Sequence, residues 1–275
     1  KLLALKGLTP ESVPAKGETV YLKATANLST GGTADDVTEV VHPFNVFLAE
    51  RISRIIDLVP YLPDELELAV ADAWNHRVLI WHGYPDTSNR PADVVLGQLD
   101  FNGNLPNRGN ALPTAATLNW CYCVSIADGK LIVADTGNRR VLVWDKVPSV
   151  NGAPADMVLG QRDFVTRDDN AGEVGGELGM RWPHGLAFAR GMLFVSDAGN
   201  NRVTVWRNFP GASGTPGDFV IGQADFMGRD HNRASYYPSS SSLNMPYGVT
   251  VHGDMLVVTD TANSRLLGFE LDGLA

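Results

Sequence analysis

The amino-acid sequence predicts an all-β fold assembled from repeats of one four-stranded antiparallel unit, and three observations carry that expectation. First, one segment occurs four times, as VADAWNHRVLIW from Val70, VADTGNRRVLVW from Val133, VSDAGNNRVTVW from Val195 and VTDTANSRLLGF from Val258. Its Asp falls at 72, 135, 197 and 260, intervals of 63, 62 and 63 residues, and self-similarity at a fixed period marks a repeat architecture. Second, VLGQLDF, VLGQRDF and VIGQADF set Gln98, Gln161 and Gln223 in the same register. Third, short apolar runs alternate with clusters of Gly, Pro, Asn and Asp, the pattern of short strands joined by turns.

Each unit reads in order as strand, turn, strand, Asp turn, strand, connection, strand. The first strand lies in LNWCYCVSIADG, MRWPHGLAFARG or LNMPYGVTVHGD, and the second ends on the repeated Asp. RVLVW or its equivalent is the third, and after a Pro- and Gly-rich connection such as VPSVNGAPAD comes the fourth, MVLGQ. Four short strands bounded by turn residues describe the blade of a β-propeller. Residues 63–275 hold four clear blades, whereas 1–62 hold no clean copy. There VVHPFNVFLAERISRIIDL reads as one degenerate N-terminal blade with Pro43 at its start, so about five blades are expected. The last repeat stops after its third strand, and the closing strand is expected from KLLALKG or TVYLKAT.

The element D-x-x-N-x-R-[VL] after the second strand, with P-x-G opening the first, resembles the NHL repeat of β-propellers. Asp72, Asn75 and Arg77, then Asp135, Asn138 and Arg140, then Asp197, Asn200 and Arg202, and finally Asp260, Asn263 and Arg265 fit it. The resemblance covers roughly residues 63–275 and implies a propeller whose first strands line a central channel. It does not choose a function, because such propellers include both interaction modules and enzymes. Each repeat exceeds a common blade of about 40–45 residues. The excess falls in loops 102–117, 165–179 and 227–242, near-equal in length and unrelated in sequence.

Residues present in every repeat are expected to be scaffold. The Asp and Asn suit tight turns, and the Arg five after the Asp suits a two-pronged bond to a carboxylate. Gln98, Gln161 and Gln223 with their Phe partners read as packing between blades, and Trp81, Trp144 and Trp206 as core. Function belongs where the repeats differ. The family geometry implies that the long loops surround the channel mouth, where Phe44, Tyr122, His184 and Tyr247 occupy the middle of the P-x-G position.

At that position Cys121 replaces Pro and Cys123 replaces Gly. On an extended strand residues i and i+2 point to one side, so both sulfurs are expected in one gap between blades with His184 beside them. Two thiolates and an imidazole suit zinc or copper, with His42, His231, Asp168 or Asp169 completing the set. The reading placed first is nevertheless that both cysteines pack as small hydrophobes in the gap between blades; the metal site and thiol redox chemistry are its alternatives.

Composition narrows the partner classes. A net charge of -9 and the lack of any Lys/Arg run exclude nucleic acid and anionic membrane surfaces as expected partners. No apolar run approaches the roughly 20 residues of a membrane helix. No signal peptide is visible, and two cysteines one residue apart are expected to stay reduced, which points to the cytoplasm. No G-x-S-x-G, H-E-x-x-H, Walker loop or G-x-G-x-x-G after a strand is found. The expectation is therefore a non-catalytic binding module or accessory subunit, engaging a protein partner through the long-loop face. Arg229, His231, Tyr236 and Tyr237 are its candidate contacts. The alternative is a metal-dependent lyase or hydrolase, or a redox accessory protein, using the Cys-x-Cys/His site, with a small-molecule ligand in the channel.

Overall fold

A computed structural model describes Tyr21–Ala24, Val37–Val40 and residues 67–274 except Tyr84 and Asp86. The chain divides into two compact units, Lys1–Leu66 and Glu67–Ala275. In the first, β1 (Tyr21–Ala24) and β2 (Val37–Val40) form an antiparallel pair with Tyr21 opposite Val40. The stretch TVYLKAT, a candidate closing strand, contributes β1 to this local pair. His42, Pro43 and Phe44, and with them the degenerate blade, lie outside the described residues.

The second unit contains four antiparallel sheets. The first holds β3 (Glu67–Asp72), β4 (Arg77–His82) and β5 (Val94–Leu96). The second holds β6 (Cys121–Ala127), β7 (Lys130–Asp135), β8 (Arg140–Trp144) and β9 (Met157–Leu159), and the third β10 (Pro183–Ala189), β11 (Met192–Asp197), β12 (Arg202–Trp206) and β13 (Phe219–Ile221). The fourth holds β14 (Pro246–His252), β15 (Met255–Asp260) and β16 (Arg265–Glu270). Every connection within a sheet joins neighbouring strands, and among the described residues no α-helix occurs, so the fold is all-β.

The alternation of side chains along each strand builds the core. On β7, Leu131 and Val133 pack towards the first sheet with Val78, Ile80 and Trp144, while Ile132 and Ala134 pack towards the third with Leu193, Val195 and Trp206. A third apolar layer joins Phe194, Val203 and Val205 to Leu256 and Val258 of the fourth sheet. Burying each such side chain contributes roughly 1.5–3 kcal/mol. Trp144 and Trp206 seal two of these layers, and their polar edge is satisfied: Trp144 Nε1 donates to the Ala153 carbonyl and Trp206 Nε1 to that of Thr215, each at 3.2 Å, whereas Trp81 is only half-buried.

The repeated Asp and Arg form one hub per sheet. Asp135 Oδ2 accepts from Arg140 Nε at 2.7 Å and Asn138 Nδ2 at 2.8 Å, and its Oδ1 accepts the Asn119 N–H at 2.7 Å. Arg140 then donates to the carbonyls of Phe164, Thr114 and Thr117. Asp197 with Arg202 and Asp260 with Arg265 repeat the carboxylate half of this pattern, and Asp72 bonds Arg77 at 2.8 Å. The hub thus ties the turn after the second strand to the loop that opens the first strand of its own sheet.

The repeated Gln does more than pack between sheets. Gln98, Gln161 and Gln223 each donate through Nε2 to a carbonyl at the preceding Asp turn (His76, Arg139, Asn201) and to one in the following loop (Leu105, Asp168, Asp230). The long loops also prove to share a structure. Asn107, Asn170 and Asn232 are buried, left-handed at φ 52, 54 and 50°, and hydrogen-bonded to Asn138, Asn200 and Asn263. Asn tolerates that backbone and carries both donor and acceptor, which is why one residue type serves all three loops.

Candidate functional site

A β-bulge in the first strand of three sheets builds the site. Cys121 faces Asp135 and Cys123 faces Ala134, so Tyr122 is the extra residue; Tyr247 is the extra residue between Pro246 and Gly248 in the same way. The register also shifts between Pro183 and Leu186, around His184. A bulge re-aims the side chain it adds, and the three rings stack: Tyr122 on His184 at 4.5 Å and His184 on Tyr247 at 4.4 Å between centroids. Three of the four expected mouth residues are therefore gathered, and Phe44 lies outside the described residues.

The same bulge corrects the expected cysteine geometry. With one residue added between them, Cys121 and Cys123 no longer share a side of the sheet. Cys121 is fully buried in the layer between the first and second sheets, its thiol 3.2 Å from the Arg77 carbonyl, while Cys123 packs against the layer between the second and third. Burial pushes both thiols up, away from the thiolate that a metal or a redox partner needs. Among the described residues no three His, Cys, Asp or Glu side chains gather to hold a metal. The expected Cys121/Cys123/His184 set is thus not assembled.

Beside the ring stack lies a cleft of ≈ 560 Å³. His76, Trp120, Tyr122, Trp182 and His184 line it with Arg139 and Arg167, and loop residues Pro106, Asn107, Asn110 and Ala111 supply one wall. Loop and mouth residues thus share one concavity. Trp120 and Trp182 hold their rings there from a left-handed backbone, φ 48 and 59°, a conformation that costs a bulky residue roughly 1–3 kcal/mol. The chain is pinned at Trp120 and at the residue before it. Asp135 takes the N–H of Asn119, and His76 Nδ1 accepts that of Trp120 at 3.0 Å. His76 must be neutral at Nδ1 to do so, and burial lowers its pKa; burial lowers that of His184 too.

Both cleft arginines are tethered. Arg139 bonds Asp169 through Nε and the Gly137 carbonyl through Nη1, and Arg167 donates to the Ala111 carbonyl. Arg181 meets the same Asp169 at 3.2 Å. The contact candidates of the third loop stand apart from the cleft lining. Tyr236 and Tyr237 are 85% and 76% exposed and meet edge to face at 4.9 Å, and Arg229 donates to the Val174 carbonyl. Sequence reasoning missed Trp120, Trp182, His76, Arg139 and Arg167. A signal existed for two of them: the residue just before the P-x-G position is large in the three clear repeats that have one, as Trp120, Trp182 and Met245.

No protein-family profile matches the chain. It is 59% identical over 58 residues to the cyanophycin synthetase of Nostoc sp. (strain PCC 7120), a stretch that is 21% of this chain and 6% of that protein. It is 34% identical over 109 residues to the glutathione biosynthesis bifunctional protein GshAB of Mannheimia succiniciproducens, covering 34% of this chain and 14% of the other. The chain thus spans only a small fraction of the curated relatives it matches. Among solved structures it is similar to the computationally designed Ika4 protein (TM-score 0.33, 8% identity, 72% of this chain and 81% of that one). It is also similar to Myxococcus xanthus glutaminyl cyclase (TM-score 0.36, 15% identity, 71% and 64%). At these TM-scores the likeness assigns neither fold nor function.

Proposed function

We propose that the repeats are blades of an NHL-like β-propeller and that the protein is a non-catalytic binding module or accessory subunit, engaging a protein partner through its long-loop face. The blade reading is supported by the order of the sheets, since β6 neighbours β10 and β10 neighbours β14 along the chain. The observation that carries the binding reading is the cleft where Trp120, Tyr122 and Trp182 meet Arg139 and Arg167. Tyr, Trp and Arg are the residues in which interface energy concentrates. Their backbone is tied to buried hubs and Asn anchors, so little ordering remains to be done when a partner arrives.

The metal and redox alternative loses its geometric basis once the two sulfurs occupy different layers. The stretches shared with cyanophycin synthetase and GshAB, small fractions of those proteins, enter none of this reading.

Phage-displayed peptides panned against the full chain and against a Trp120→Ala/Trp182→Ala variant test the proposal. Peptides enriched on the wild type and lost on the variant support it. Enrichment that is the same on both, or absent from both, overturns it.

A further inference from the structure

We propose that the cleft receives an acidic, apolar-flanked peptide segment of the partner, with a carboxylate seated between Arg139 and Arg167. This rests on the binding-module reading and names the partner's chemistry.

Charge is the first argument. The chain carries a net charge of -9, yet the cleft lining holds the guanidiniums of Arg139 and Arg167 and no carboxylate. In the wider surroundings, Arg139, Arg167 and Arg181 outnumber Asp168 and Asp169, and Asp169 is already engaged by Arg139 and Arg181. The excess cation is therefore in the cleft. A guanidinium offers five N–H donors in a planar fork, and the tethers on Arg139 and Arg167 fix each fork by only part of that set.

The rings agree with the charge. Stacked face on face, Tyr122, His184 and Tyr247 cover one another's faces, and the edges of an aromatic ring are its positive side. Trp120 and Trp182, 45% and 38% exposed, line the same cleft as Tyr122 and His184 and supply apolar surface there. An anion with apolar neighbours thus finds cationic and apolar surface in one concavity.

The apolar part of the lining selects a peptide over a small organic acid. Trp120, Tyr122 and Trp182 share the cleft with Arg139 and Arg167, and Pro106 and Ala111 add apolar surface to its loop wall. Apolar side chains around a polar, cationic centre extend the contact beyond what a small ligand covers and match a segment with apolar residues on both sides of its acid.

The test is fluorescence anisotropy on the full chain with two labelled dodecapeptides, three repeats of Gly-Glu-Leu-Glu and three of Gly-Lys-Leu-Lys, with polygalacturonate as competitor. The glutamate peptide is expected to bind at least about tenfold more tightly than the lysine peptide. Arg167→Gln and Arg139→Gln are each expected to weaken it at least about fivefold. Arg167, tethered to a single backbone carbonyl, is the safer variant, and an unchanged thermal midpoint will separate lost contact from lost fold. Equal binding of both peptides, binding of neither, unchanged affinity in Arg167→Gln, or capture of polygalacturonate without the glutamate peptide overturns the proposal. If panning yields cleft-dependent peptides that lack acidic residues, the binding module stands and only this chemistry falls.

Discussion

The second and third sheets and the two that flank them share one sequence motif and differ in what surrounds it. Asp135 with Arg140 and Asp197 with Arg202 lie at no more than 1% exposure, whereas Arg77 and Asp72 are 18% and 25% exposed and Arg265 is 26% exposed. The strands follow suit. β8 and β12 are buried at every residue, while β16 alternates half-buried and exposed. The identical ion pair is therefore a different energetic object in the two places. Deep burial of both partners makes the loss of one expensive, and water at Arg77 and Asp72 makes it tolerable, while Asp260, fully buried beneath a part-exposed Arg265, lies between the two cases.

The sharpest break of that comparison is Arg140→Ala, expected to cost about 3–5 kcal/mol in urea unfolding because it strands the Asp135 carboxylate away from water. Arg77→Ala is expected to cost only about 1 kcal/mol, since solvent reaches both partners. Equal losses at the two sites would show that burial does not set the value of the hub. Next in size is Asn107→Ala, which leaves the buried Asn138 amide without its loop partner at about 1–3 kcal/mol. Faster proteolysis within 102–117 is its second readout. The cysteines come third. Both thiols are expected to resist a thiol reagent in the folded protein and to react on unfolding, and elemental analysis is expected to find no stoichiometric zinc or copper, in the wild type or in a Cys121→Ser/Cys123→Ser variant. About one metal per chain, lost on substitution, would restore the metal site.

The smallest effect is in pH. His76 and His184 have folded pKa values lowered by burial, so the neutral imidazole is the form the fold favours. Their stabilisation is complete above the unfolded value of about 6.5 and falls as the pH drops from there to their lower folded values. Protonation of His76 also ends its bond from the Trp120 N–H, so tryptophan fluorescence is expected to titrate with a midpoint below about 6.5. A midpoint at or above that value would place His76 in water.

Much of the fold was legible because it repeats. Asp72, Asp135, Asp197 and Asp260 each sit where a second strand ends, and the strands fall where β-branched and aromatic runs lie between Gly and Asn turns. Tyr122, His184 and Tyr247 were legible as a group because they share one register position. The bulges were not, since a single extra residue leaves no mark in an apolar run, and the expected placement of both sulfurs on one side failed on that one residue. The common anchoring of the long loops was hidden for another reason. Asn107, Asn170 and Asn232 sit in otherwise unlike sequences, and an isolated Asn looks like any turn residue until its partner is seen.

What the sequence by itself determined is the repeat: its period, its strands, its hubs and the register that groups the mouth residues. All of these depend on neighbours within one unit, where spacing along the chain is spacing in space. Only the tertiary structure decided which layer each sulfur enters, that Trp120 and Trp182 face one cleft with Arg139 and Arg167, and how deeply each copy of the hub is buried. Those outcomes depend on contacts between units some 60 residues apart, and a repeated motif cannot carry the difference between one copy's surroundings and the next.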